Sequence, residues 1–227
     1  RQMCIRDSHH MEEIRDYNQL KMLKAFADTQ MSSTDMLGTT GYGLWDTGRA
    51  KLEQIFAEVM GAEDALVRHT FACGTHTLAV ALYGVLRPGD TMLSATGTPY
   101  DTIHSVIGLS GEGQGSLKDF GVRYRQAELG QDGLPDLSAI CAAIDPSTKM
   151  VYIQRSRGYS LRPSLSVRQI GEVVRAVKAV KPDVIVMVDN CYGEFVEESE
   201  PLSVGADLIA GSLIKNPGGG IAPTGGY

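Results

Sequence analysis

The chain has 227 residues, 43% of them apolar and 21% charged, proportions of a globular protein and not of a disordered, collagen-like or membrane-anchoring one. Its formal net charge of −6 argues against non-specific nucleic-acid binding, which needs a basic face, although a small pocket can still be cationic. Cys4, Cys73, Cys141 and Cys191 lie far apart with no CxxC pair and read as reduced thiols of a cytoplasmic protein; no apolar run approaches the length that spans a membrane.

Residues 1–11 show neither apolar periodicity nor a signal-peptide pattern and are expected to be a tail or remnant outside the fold. Segment 12–46 reads as a helix over 12–27, with Ile14, Tyr17, Leu20, Leu23 and Phe26 near every third position, followed by a loop rich in Ser, Thr and Gly. The main domain is expected over 47–227. It opens with Leu52, Ile55, Phe56, Val59 and Met60 on one helical face, and Gly61 is placed to end that helix. The pattern then alternates: a short apolar run at 65–67, helix 75–86, strand 91–95, helix 99–107, strand 122–125, helix 137–144 and strand 150–153. Val167, Ile170, Val173, Val174 and Val177 mark an amphipathic helix with Ser166 as N-cap. The continuous apolar run 184–188 suits a strand buried on both faces, and 208–210 is a last strand.

Such alternation predicts an α/β fold of three layers, helices covering both sides of a mostly parallel sheet. Right-handed crossovers put the C-terminal ends of the strands on one edge, so functional residues should sit just after strands. Four features do. Cys73-Gly74-Thr75-His76 opens a helix, where free amides can hold an anion, although by itself it is an ordinary helix start. Tyr100 follows a strand and, alone, reads as packing. Asp189 ends the 184–188 run, where a carboxylate is costly without a cation or several donors; an Asp capping a turn is the equal alternative. Lys215 is flanked by apolar and tiny residues, a setting that would desolvate the amine and favour its nucleophilic form.

Asp189 in Val-Asp-Asn and Lys215 in Ser-x-x-Lys together resemble fold type I enzymes that use pyridoxal 5′-phosphate (PLP). More narrowly, four segments resemble the methionine γ-lyase-like family often labelled aluminium resistance protein. They are Gly41-Tyr42-Gly43, Cys73-Gly74-Thr75-His76, Gln154-Arg155-Ser156-Arg157-Gly158-Tyr159-Ser160 and the stretch from Gly211 through Lys215 to Gly220. The resemblance runs from about residue 12 to the end of the chain. It implies that Lys215 holds the cofactor and moves protons, that Asp189 pairs with the ring nitrogen, and that Tyr100 lies on the ring face. Gly74, Thr75 and Ser212 would hold the phosphate. Tyr42 and Arg49 would reach a neighbouring subunit's phosphate, and Arg155 or Arg157 would meet phosphate or substrate carboxylate. The family carries Ser where Cys73 stands here; a thiol is the weaker donor, so Cys73 is left out of the site.

The expected function is a carbon–sulfur lyase that eliminates a thiol from a sulfur amino acid at the β or γ position. Another PLP reaction (aldol cleavage or transamination) and a non-catalytic resistance or regulatory protein are the alternatives. The resemblance implies a homodimer or homotetramer, and a large domain that stops before the small C-terminal domain of this fold type, so that this chain alone would be inactive. Gly111, Gly113 and Gly115 read as a loop and not a dinucleotide fingerprint, and no Gly-Lys dipeptide offers a Walker A loop. His69, His76 and His104 lack metal-site spacing, so no metal is expected. Cys191 reads as a small buried residue, and Glu194, Glu197, Glu198 and Glu200 as a solvated acidic face.

Overall fold

The structure, a computed structural model, describes residues 2–40, 46–111, 113 and 115–227, with side chains from Ser8 onward. Helix α1 (Gln2–Asp28) starts at Gln2 and not at residue 12, so the residues read as a tail are helical. Residues 8–13 are exposed, and His9 faces Glu13 one turn on at 3.9 Å. A helix carried on by backbone bonds without a buried face leaves no apolar period to read. Further along, Ala25 and Phe26 pack against Ile55 and Val59 of α2 (Thr47–Met60). Asp46 caps α2 by accepting from the Arg49 amide at 3.3 Å, and Gly61 ends it in the left-handed conformation (φ 72°), as its position in the sequence predicts.

The α/β body follows in the predicted order: α3 (Gly74–Val85), β1 (Thr91–Ser94), α4 (His104–Ile107), β2 (Arg123–Gln126), α5 (Leu137–Ala143), β3 (Thr148–Gln154), α6 (Val167–Val180), β4 (Ile185–Asp189) and β5 (Leu208–Ala210). All five strands are parallel, in the spatial order β2-β1-β3-β4-β5. The helix expected over 99–107 is shorter, a 3₁₀ turn at Asp101–Ile103 running into α4. Tyr100 precedes it with an extended backbone (ψ 141°), the conformation that lets its ring leave the strand end.

Strand periodicity builds the three layers. Val151 and Ile153 of β3, with Val186 and Val188 of β4, face α5 and α6 through Ile140, Ile170, Val173 and Val177. Met150, Tyr152 and Met187 face α3 and α4 through Leu78, Leu82 and Ile107. Both faces are covered, which is why β4 reads as an unbroken apolar run. At about 1.5–3 kcal/mol for each fully buried Val, Ile or Leu side chain, this core is the main force holding the strand ends in place. Ser166 caps α6 in a reciprocal box with Gln169, the Ser166 amide donating to the Gln169 side chain at 2.9 Å. Beyond β5 the chain turns back antiparallel: the Gly211 amide donates to Tyr227 O at 3.1 Å and the Arg68 amide to Gly226 O at 3.0 Å.

Candidate active site

The C-terminal ends of β1, β3, β4 and β5 and the N-terminus of α3 share one edge of the sheet, and Asp189 lies buried there, 5% exposed. It closes β4 opposite Gln154 of β3. Its Oδ1 accepts from the Cys191 amide at 3.1 Å and its Oδ2 from the Tyr152 hydroxyl at 3.3 Å. Burial pushes its carboxyl above the usual range, opposed by the Cys191 and Tyr152 donors and the Lys215 charge. Among the described residues no Arg or Lys forms an ion pair with it. A buried carboxylate without an ion pair is costly, and here two donors offset that cost in part.

Two further elements converge beside it. The N-terminus of α3 has an extended Cys73 at its cap whose side chain makes no capping bond, so the first amides of Gly74, Thr75 and His76 lack an intrahelical acceptor. Fully buried Ser212 lies against this end. A Cβ placed on Gly74 would sit 3.2 Å from the Ser212 Cβ and 3.8 Å from the Cys191 Sγ, so a side chain here would press Ser212 back by a few tenths of an ångström. The Thr75 hydroxyl bonds that of Thr102 at 2.8 Å. Burial, first, and the Asp189 charge push the Cys191 thiol up, which fits a small packed residue and not a nucleophile.

Lys215 stands on the loop after β5, half-buried and not enclosed: its neighbour Ile214 is 43% exposed. Its Nζ donates to the Tyr192 hydroxyl. Tyr100 is fixed through its backbone, whose amide donates to the Gln154 side chain at 2.6 Å, and its ring lies 5.6 Å from that of Tyr159. The hydrogen bond with Tyr159, then burial and nearby charge, push the Tyr100 phenol up to about 12, so it carries its proton at neutral pH. The structure therefore gathers Asp189, Gly74, Thr75, Ser212, Tyr100 and Lys215 on one sheet edge.

Arg155 is corrected. Its guanidinium is 2% exposed and turned into the protein, donating to Asn190 Oδ1 at 2.8 Å, Glu200 Oε2 at 3.2 Å and Glu197 Oε1 at 2.7 Å. A Cβ on Gly193 would lie 2.3 Å from its Cδ, so a glycine opens the space it fills. With its donors committed to Asn190, to buried Glu200 and to half-buried Glu197, Arg155 locks the strand ends and is not available to a ligand. The solvated acidic face is corrected with it, because Glu194 and Glu200 are 1% and 2% exposed. Glu194 Oε1 accepts from the Tyr227 hydroxyl at 2.7 Å, and burial, chiefly, raises its carboxyl to about 7. Arg49 pairs with Asp46 of its own helix cap at 2.6 Å, and Arg157 is exposed. Tyr42 lies outside the described residues. Sequence reading missed Tyr152, Gln154 and Tyr192; position alone, after or opposite a strand end, could have flagged them.

Comparison with known proteins bears on the family and the fold. Residues 1–227 match the family profile described as methionine gamma-lyase. The chain is 52% identical over 218 residues to the uncharacterized protein YnbB of Bacillus subtilis, covering 96% of this chain and 52% of that one. It is 29% identical over 168 residues to L-methionine gamma-lyase of Pseudomonas putida, covering 72% of this chain and 36% of that one. A crystallised carbon-sulfur lyase involved in aluminum resistance from Clostridium novyi superposes with a TM-score of 0.92 at 50% identity, over 96% of this chain and 52% of its own. The chain thus spans about half the length of YnbB and of the crystallised Clostridium novyi lyase. Among the described residues, no helix is long and apolar enough to cross a membrane.

Proposed function

This chain belongs to the methionine gamma-lyase family, and from that premise we propose that it serves a PLP-dependent carbon–sulfur lyase acting on a sulfur amino acid. The observation that carries the reading is the buried Asp189 carboxylate, without an ion-pair partner among the described residues, on the same sheet edge as the open α3 terminus and Lys215. This donor set fits the group. Asp189 supplies the anion that a ring cation needs, and the Gly74 and Thr75 amides with the Ser212 hydroxyl supply donors for a phosphate. When bound, the cofactor supplies an electron sink for the substrate's α-carbon.

The chain's own groups do the rest. Lys215 Nζ would hold the cofactor covalently and then act as the base that takes the α-proton and returns it nearby. Asp189 would favour a proton on the ring nitrogen by its charge, which burial makes act at low dielectric. Tyr100 would lie against the ring, and its hydroxyl, protonated at neutral pH, would donate to a leaving group. β- or γ-Elimination would release a thiol, ammonia and a keto acid. Arg49 and Tyr42 are assigned to a partner subunit's site in a cytoplasmic homodimer or homotetramer.

The test is turnover. With added PLP, the protein carried to the full length of its relatives should release keto acid and thiol or sulfide in equal amounts from at least one of methionine, homocysteine, cysteine or cystathionine. Keto acid without thiol or sulfide, or no product from any of the four, contradicts the proposal.

A further inference from the structure

Tyr192 follows Asp189 by one turn and has a backbone that its side chain disfavours. Its φ of 66° lies in the left-handed region, which a bulky residue occupies only when its surroundings over-determine it. Burial does not hold it there, since the residue is 57% exposed. The turn does: the Cys191 amide donates to Asp189 Oδ1 at 3.1 Å and the Gly193 amide to Asn190 O at 2.8 Å. That geometry carries the phenol out of the turn to Lys215. Its hydroxyl accepts from Lys215 Nζ, and the nitrogen lies 4.2 Å from the ring centre. Among the described residues no carboxylate pairs with Lys215. The same phenol lies close enough to Tyr100 to act on its hydroxyl electrostatically.

We propose that Tyr192 is a positioning residue that holds the Lys215 amine at a fixed place beside Asp189. It links the two through one tight turn, so that the carboxylate and the amine keep their separation while a ligand enters. The importance of that for catalysis rests on the function proposed above for Lys215. The hold itself is a property of this chain and is testable without turnover. The backbone conformation is then the cost of aiming an aromatic side chain out of a turn that would otherwise favour glycine.

The experiment compares wild-type protein with Tyr192→Phe, which deletes the acceptor, and Tyr192→Gly, which also relieves the left-handed backbone. Without cofactor, acetic anhydride acylation of Lys215 is measured by peptide mass spectrometry relative to exposed Lys118. Both variants should acylate Lys215 about three- to tenfold faster, the scale of one lost hydrogen bond. At sub-saturating PLP, borohydride trapping should yield less adduct on Lys215 in both, by a similar factor. Thermal unfolding should be unchanged for the Phe variant and unchanged or raised for the Gly variant, which a purely structural tyrosine would not show. Unchanged acylation at unchanged stability overturns the inference, even if the cofactor is taken up. Faster acylation in the variants of a protein that takes up no PLP upholds Tyr192 as the anchor and refutes the proposed function alone.

Discussion

Glu194→Gln should remove a pH dependence of stability that the structure places in one side chain. Glu194 is 1% exposed; Oε1 accepts from Tyr227, and Oε2 has no hydrogen-bond partner among the described residues. Burial, first, and the Glu200 and Asp189 charges raise its carboxyl from the ordinary 4.5 to about 7. Below pH 4.5 the group is protonated in both the folded and the unfolded chain and contributes no slope. Between 4.5 and about 7 the folded chain keeps the proton and the unfolded chain loses it, so stability falls as pH rises. The difference is worth about 1.4 kcal/mol per pH unit, and so about 3 kcal/mol across the window. Above about 7 both states are ionised and the slope vanishes. Glutamine has the shape of the protonated acid and keeps an acceptor for Tyr227, so the variant should lack this fall. Urea unfolding at several pH values from 4 to 8 measures it. The variant's advantage over wild type should grow by about 3 kcal/mol between the two ends. Parallel curves would refute the assignment of a neutral, buried Glu194.

Four other substitutions separate site from scaffold. Asp189→Asn should leave the fold intact and, in the protein carried to the full length of its relatives, lower the rate of thiol release about 10- to 100-fold, the worth of one charge-assisted hydrogen bond, as measured by kcat with saturating PLP. Gly74→Ala puts a Cβ 3.2 Å from the Ser212 Cβ and should weaken PLP binding about tenfold by absorbance titration. Gly84→Ala on the same helix meets nothing within 4 Å and should instead stabilise by about 0.5–1 kcal/mol with no effect on binding. Arg155→Met removes the cation paired with buried Glu200 and should cost about 3–5 kcal/mol in urea unfolding; a loss of PLP affinity at wild-type stability would restore Arg155 to the site.

The fold was legible because its signals are local. Ser166, Gly61 and the apolar run through Val188 each act within a few residues, and the parallel order follows from helices between strands. Asp189 and Gly74 stood out for the same reason, lying where a strand stops or a helix starts, whereas Lys215, on the loop after β5, stood out by its apolar and tiny neighbours. Arg155 also follows a strand, yet it turns inward because Gly193 leaves room and because Glu197 and Glu200 return to meet it, contacts that the linear sequence does not display. The acidic run misled in the same way, with buried and exposed carboxylates alternating as the chain winds back on itself. Tyr152 acts on Asp189 only through the register of β3 against β4, and α1 extends past its packed part without a pattern to announce it.

The central claim is that Lys215 binds the cofactor covalently beside Asp189. Its most direct test is the visible absorption spectrum of the purified protein after addition of PLP and removal of the excess, with Lys215→Ala in parallel. The account predicts a persistent band with wild-type protein and none with the variant. A band of equal size in both, or in neither, would contradict it.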